Sequence, residues 1–168
     1  SEIFSSPRED LSLILLDSGI DPWTTRETIS SLESVSVKSL IPPTGFLIQG
    51  NKEGLVAASS VSGIIATSSV PTALVVDESV RNTVESMNPE DRITVLITGW
   101  RDTSGDLHST VQINEKTHDF SELNVFDIRP WGDGRVEADV SIATIPILAT
   151  NPSVAWISFP PQWEIHND

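Results

Sequence analysis

The sequence predicts an α+β protein made of two successive βαββαβ units. Three observations lead there. Residues Gly45 to Pro71 line up with residues Arg135 to Pro161 at a constant spacing of 90, so that Phe46 falls on Val136, Ile48 on Ala138, Leu55 on Ile145, Ala58 on Leu148, Ile64 on Val154 and Pro71 on Pro161. Upstream, "LSLILL" (Leu11 to Leu16) matches "ITVLIT" (Ile93 to Thr98) at a spacing of 82, which implies eight extra residues before the third element of the second copy. Within each copy, short alternating apolar runs are separated by Gly, Pro, Asn and Asp, the punctuation of strands and short helices rather than of long ones.

In the first copy, Leu11 to Leu16 alternates as a strand. "DSGIDPWTTRETISSL" supplies a turn and a helix, with Asp21 able to cap, Pro22 suited to the first helical position, and Thr24 with Glu27 able to form a capping box. "VSVKSLI" and "GFLIQG" are two strands joined across Pro42, Pro43 and Gly45. Asn51 can cap a short helix, "KEGLVAASSV", which Gly63 stops before the strand "IIATSSV". In the second copy, "RITVLITGW" is a strand and "GDLHSTVQINEK" a polar, poorly periodic helix. "NVFDIRP" and "RVEADV" flank a "WGDG" turn, "TIPILAT" is a short helix with Pro146 near its start, and "SVAWISF" is the last strand. The polar stretch "DESVRNTVESMNPED" reads as a connection.

A βαββαβ unit folds as a four-stranded antiparallel sheet with two helices on one face, the ferredoxin-like arrangement. Residues 1–79 form the first such unit, 80–91 a linker, 92–161 the second unit and 162–168 an extended tail. Alternation then assigns faces. Val136, Ala138 and Val140 face the helices, leaving Glu137 and Asp139 on the open face. In the first copy the open face takes Leu47 and Gln49, with Ser12, Ile14 and Leu16 from the first strand. It is thus the more apolar of the two faces, and that of the second copy the more acidic. An exposed apolar sheet face marks a contact surface, unless another part of the chain covers it.

Composition restricts the function. The 168 residues hold 24 acids against 10 Lys and Arg, a net charge of −14, which argues against nucleic-acid and anionic-membrane partners. With no cysteine there is no disulfide framework, thiolate nucleophile or cysteine zinc site. The apolar runs are too short to span a bilayer, and the start at Ser1 without methionine fits a leader already removed. No G-x-S-x-G, H-E-x-x-H or G-x-x-x-x-G-K pattern occurs, so the chain itself is expected to be no enzyme, with neither cofactor nor metal. His108 and His118 are weak metal candidates without cysteine partners, and Trp23, Trp100 and Trp131 sit near loops as local packing.

The end of the chain, "FPPQWEIHND", is stiffened by two prolines and carries a tryptophan past the last strand. Together with "GFLIQGNKEGLVAASSVSGIIATSSVP" and "RVEADVSIATIPILATNPSVAWISFPP", it resembles tandem copies of the N-terminal prodomain of subtilisin-like serine proteases. The resemblance implies a propeptide that templates folding of its protease and then inhibits it, in a secreted precursor. It implies a protease domain of the same precursor as partner, with the tail (Trp163, Glu164, Ile165, His166) lying in the cleft as an added strand. With cleavage at His166–Asn167, Trp163 fills the pocket four residues back; with the chain ending at Asp168, Ile165 takes that place. Glu137 and Asp139 become candidate contacts to the positive ends of protease helices. Two other readings stand beside it. One is a free-standing subtilisin inhibitor. The other is a tandem ACT-like regulatory module that senses a ligand through the "DSGIDPW" loop.

Overall fold

The computed structural model describes residues 2–42, 44–100, 111–113, 116–118, 124–132 and 134–162. The chain is α+β and divides into two compact units, one comprising Pro7–Pro71 and the other Ser1–Ser6 with Thr72–Asp168.

In the first unit the order is β1 (Pro7–Leu16), α1 (Pro22–Ser30), β2 (Val35–Ile41), β3 (Gly45–Gly50), α2 (Lys52–Ser59) and β4 (Ile64–Pro71). The strands form one sheet in the order β2-β3-β1-β4, antiparallel throughout. Both helix starts follow from their caps. The Asp21 carboxylate accepts the Trp23 N–H at 3.2 Å and the Thr24 hydroxyl at 2.9 Å, so Asp21 is the cap and Pro22 opens the helix. The Asn51 side chain accepts the Gly54 N–H at 2.7 Å. Gly63 follows α2 at φ +95°, a backbone state that L side chains rarely adopt, and turns the chain into β4.

The core of this unit joins Ile14, Leu16, Ile29, Phe46, Ile48 and Ala58, with Leu32, Val35, Leu55 and Val61 against it. Each fully buried aliphatic side chain contributes roughly 1.5–3 kcal/mol, and these residues fix which face each strand turns inward. Phe46 and Ile48 point inward, so Leu47 and Gln49 lie on the other face, as alternation predicts. The assignment for β1 is reversed. Ile14 and Leu16 belong to the core, and the residues paired with Gln49, Leu47 and Gly45 are Leu11, Leu13 and Leu15. The cause is a register slip. Ile14 pairs with Phe46, and Ile97 pairs with the matching Val136, so the true spacing between first strands is 83 rather than 82. A slip of one residue exchanges the two faces of a strand.

The second unit contains α3 (Glu78–Ser86), β5 (Arg92–Gly99), β6 (Val111–Ile113), β7 (Lys116–His118), β8 (Val125–Gly132), β9 (Arg135–Ser141), α4 (Ile145–Ala149) and β10 (Val154–Ser158). Its main sheet runs β10-β5-β9-β8, again antiparallel, and β6 pairs with β7 as a separate ribbon. Val95, Ile97, Val136, Ala138, Val140, Leu148 and Ile157 are buried, and Glu137 and Asp139 alternate with them as predicted. Gly132, at φ +77°, turns the chain at the end of β8 within the expected "WGDG" hairpin.

Two expectations are corrected here. The supposed linker 80–91 contains most of α3, in which Val80 and Val84, four residues apart, make one buried stripe on an otherwise polar helix. Two apolar residues in nine are too few to show as a helical period. The expected helix "GDLHSTVQINEK" is also not formed as such: Val111–Ile113 pairs with Lys116–His118, and the apolar residues Val111 and Ile113 follow a period of two. The remainder of that stretch lies outside the described residues.

Candidate functional site

The open face of the second sheet is organised by the pairing of its strands. Opposite partners share a face, so Asp139 has Thr94 on one side and Phe126 on the other, while Glu137 lies between Leu96 and Arg129. Arg129 reaches this row because of a bulge. Phe126 pairs with Asp139, but the next partner, of Glu137, is Arg129 and not Ile128. The inserted residue lies beside Asp127, whose φ of +52° is one that Asp tolerates better than most residues.

The bulge brings a cation between the two carboxylates. Arg129 donates from Nε to Glu137 Oε2 at 2.6 Å, and its Nη2 lies 3.5 Å from Asp139 Oδ1. The Thr94 hydroxyl donates to Asp139 Oδ1 at 2.7 Å. That bond holds the Asp139 carboxyl below the ordinary carboxylate range. Partial burial opposes the shift, and the charge and hydrogen bond of Arg129 add to it. Around this row the Arg92 guanidinium lies 3.7 Å from the Phe126 ring centroid, and that of Arg135 lies 5.6 Å from Trp131.

This face is therefore not the acidic one that the sequence suggested. Arg92, Arg129 and Arg135 share it with Glu137 and Asp139, and two of the arginines are stacked on aromatic rings. Alternation found the carboxylates. The arginines are harder to read, because one lies beyond a bulge and the others, Arg92 and Arg135, open their strands.

The first unit presents an apolar face. Leu13, Leu15, Ile41, Ala66 and Ser68 line a groove of about 280 Å³ on the side of the sheet away from the core. The expected apolar character is present, carried by Leu13 and Leu15 in place of Ile14 and Leu16. On the same strand Arg8 is buried and bonded to Asp10, at 2.6 Å from Nε and 3.1 Å from Nη2, while Gln49 donates to Asp10 at 2.7 Å.

After β10, Phe159–Gln162 carries no regular secondary structure. Trp163, Glu164, Ile165, His166 and Asn167, the expected cleft-binding tail and cleavage junction, lie outside the described residues, as does His108. His118 is in β7. Among the described residues no group of three or more His, Asp or Glu could hold a metal ion, and no helix is long and apolar enough to cross a membrane. Trp100 donates its indole N–H to the Pro152 carbonyl at 2.9 Å, a packing role of the kind expected for it. No protein-family model, curated protein or solved structure matches the chain.

Proposed function

We propose that the chain is the propeptide of a subtilisin-like serine protease, built of two tandem ferredoxin-like units and acting as folding template and temporary inhibitor of a protease domain in the same secreted precursor. The observation that carries this reading is the strand order. In each main sheet the first strand lies between the third and the fourth, the order a ferredoxin-like unit requires. The last of these strands, β10, lies at a sheet edge, and the chain leaves it through Phe159, Pro160 and Pro161. Prolines restrict the free chain, so a tail of this kind loses little entropy when it docks as a strand.

The open face of the second sheet suits a protein partner, with aromatic rings, arginines and carboxylates placed as in interface cores and rims. Glu137 and Asp139 are already bridged by Arg129, so a protease helix would meet a partly neutralised pair and gain hydrogen bonds more than net charge.

Inhibition tests the proposal. The full chain, titrated against a subtilisin-like protease, is expected to inhibit competitively with peptide substrate. A chain ending at Gln162 should inhibit at least about tenfold more weakly, because the added strand and its pocket residue are gone. Equal inhibition by both chains would remove the tail from the mechanism. No inhibition by either chain, over several subtilisin-like enzymes, would overturn the propeptide reading itself.

A further inference from the structure

On the helix side of the first sheet a cavity of about 250 Å³ opens between α1 and the edge strand β2, lined by Trp23, Arg26, Val37, Lys38, Leu40 and Phe46 among others. Its origin is local. Helix α1 begins only at Pro22, and β2 bulges between Val37 and Ser39, so the helix does not cover the end of the strand. Two large apolar side chains are left at the opening, Trp23 at 66% exposure and Leu40 at 55%, above the buried ring of Phe46. The space exceeds the cavity of about 150 Å³ that takes up benzene in an engineered protein.

The charged side chains that line it have one sign. Both charged residues of the lining, Arg26 and Lys38, are cations in a chain of net charge −14. Arg26 lies 5.8 Å from the Trp23 ring centroid, and among the described residues no carboxylate pairs with it. The nearby Asp21 is occupied as the helix cap and lines a different depression.

We propose that this cavity binds a small carboxylic acid with an aromatic or branched aliphatic body, the body between Trp23, Leu40 and Phe46 and the carboxylate at Arg26. An apolar pocket with a few convergent polar groups is the usual form of a small-molecule site, and a planar guanidinium beside a ring is suited to a carboxylate. The inference is independent of the protease reading, because an inhibition assay does not report on this pocket.

The probe is 4-phenylbutyrate, with 4-phenyl-1-butanol as its uncharged counterpart. Binding is followed through the indole N–H resonances of the ¹⁵N-labelled chain, with the Trp23 signal assigned by its loss in Trp23→Phe. Saturable movement of that signal is expected, with a dissociation constant of about 1 mM or below, the scale open to so small a ligand. The alcohol should bind at least several-fold more weakly, and Arg26→Gln should weaken the acid up to about fivefold, the upper end for one exposed charge pair. Leu40→Glu, at a second exposed position, should abolish binding of the acid. Absence of saturation well above that concentration, equal affinity for the alcohol, or unchanged binding in a folded Arg26→Gln or Leu40→Glu chain would each overturn the proposal.

Discussion

Asp139 shows how much a single side chain depends on its neighbours across the strands. Its carboxyl is held below the ordinary value of 3.8, first by the Thr94 hydroxyl and then by Arg129, against the cost of partial burial. A carboxyl whose pKa is lowered by folding stabilises the folded chain above its ordinary value, and that contribution is lost as the pH falls through the lower folded value. Thr94→Val keeps the β-branched shape and removes the donor. It should cost about 1 kcal/mol in urea unfolding at neutral pH, with the difference from the parent chain shrinking as the pH falls below the ordinary carboxylate range. A difference that stayed constant with pH would show that the hydroxyl acts without the charge. At this scale the sequence was half legible. Strict alternation in "RVEADV" places Glu137 and Asp139 correctly. Arg129 could not be placed that way, because its position depends on a one-residue bulge next to Asp127 that shifts the alternation of β8 by one residue.

At the scale of elements, strong local chemistry was legible and weak periodicity was not. Asp21, Pro22 and Asn51 fix two helix starts through bonds that a short stretch of sequence already implies. The faces of β1 were not legible, since "LSLILL" is apolar at five of its six positions and permits either register. Only the pairing of Ile14 with Phe46 decides between them. Helix α3 was hidden for the opposite reason, having too few apolar residues. Helix α2 offers a case in which propensity and packing disagree. Gly54 lies in its first turn, where alanine is favoured by about 1 kcal/mol on propensity. A Cβ at Gly54, however, would stand 2.7 Å from Val35 Cγ2 and 3.0 Å from the Ser34 carbonyl oxygen. Overpacking of this kind costs about 1–3 kcal/mol, and a backbone atom on one side limits relief. Gly54→Ala is therefore expected to lower the thermal midpoint, although Gly→Ala in an open helix raises it. A stabilised variant would mean that β2 moves away from α2 without loss.

For the whole molecule, the sequence repeat led to a division that the structure redraws. Repetition places residues 1–79 in one unit, because nothing in the repeat separates the start of the chain from the first copy. In the structure Ser1–Ser6 belong with Thr72–Asp168, while Pro7–Pro71 form the other unit. The residues responsible are few. Phe4 is 2% exposed, and the Ser6 carbonyl accepts the Thr72 N–H at 2.9 Å, which ties the chain start to the beginning of the second unit. A periodic pattern cannot reveal this, since a three-residue turn with one aromatic residue has no period. Truncating a buried phenylalanine to alanine costs about 3–5 kcal/mol. Phe4→Ala should therefore weaken the unit that contains Thr72–Asp168, despite lying at the far end of the sequence from it. Hydrogen exchange resolves the two units by peptide. Protection is expected to fall in β5, β9 and β10 of the variant and to change much less in the core segments of β1 and β3. Loss confined to β1 and β3 would return the chain start to the first unit. Equal loss in both would mean that the units unfold as one, and that burial of Phe4 supports the molecule as a whole.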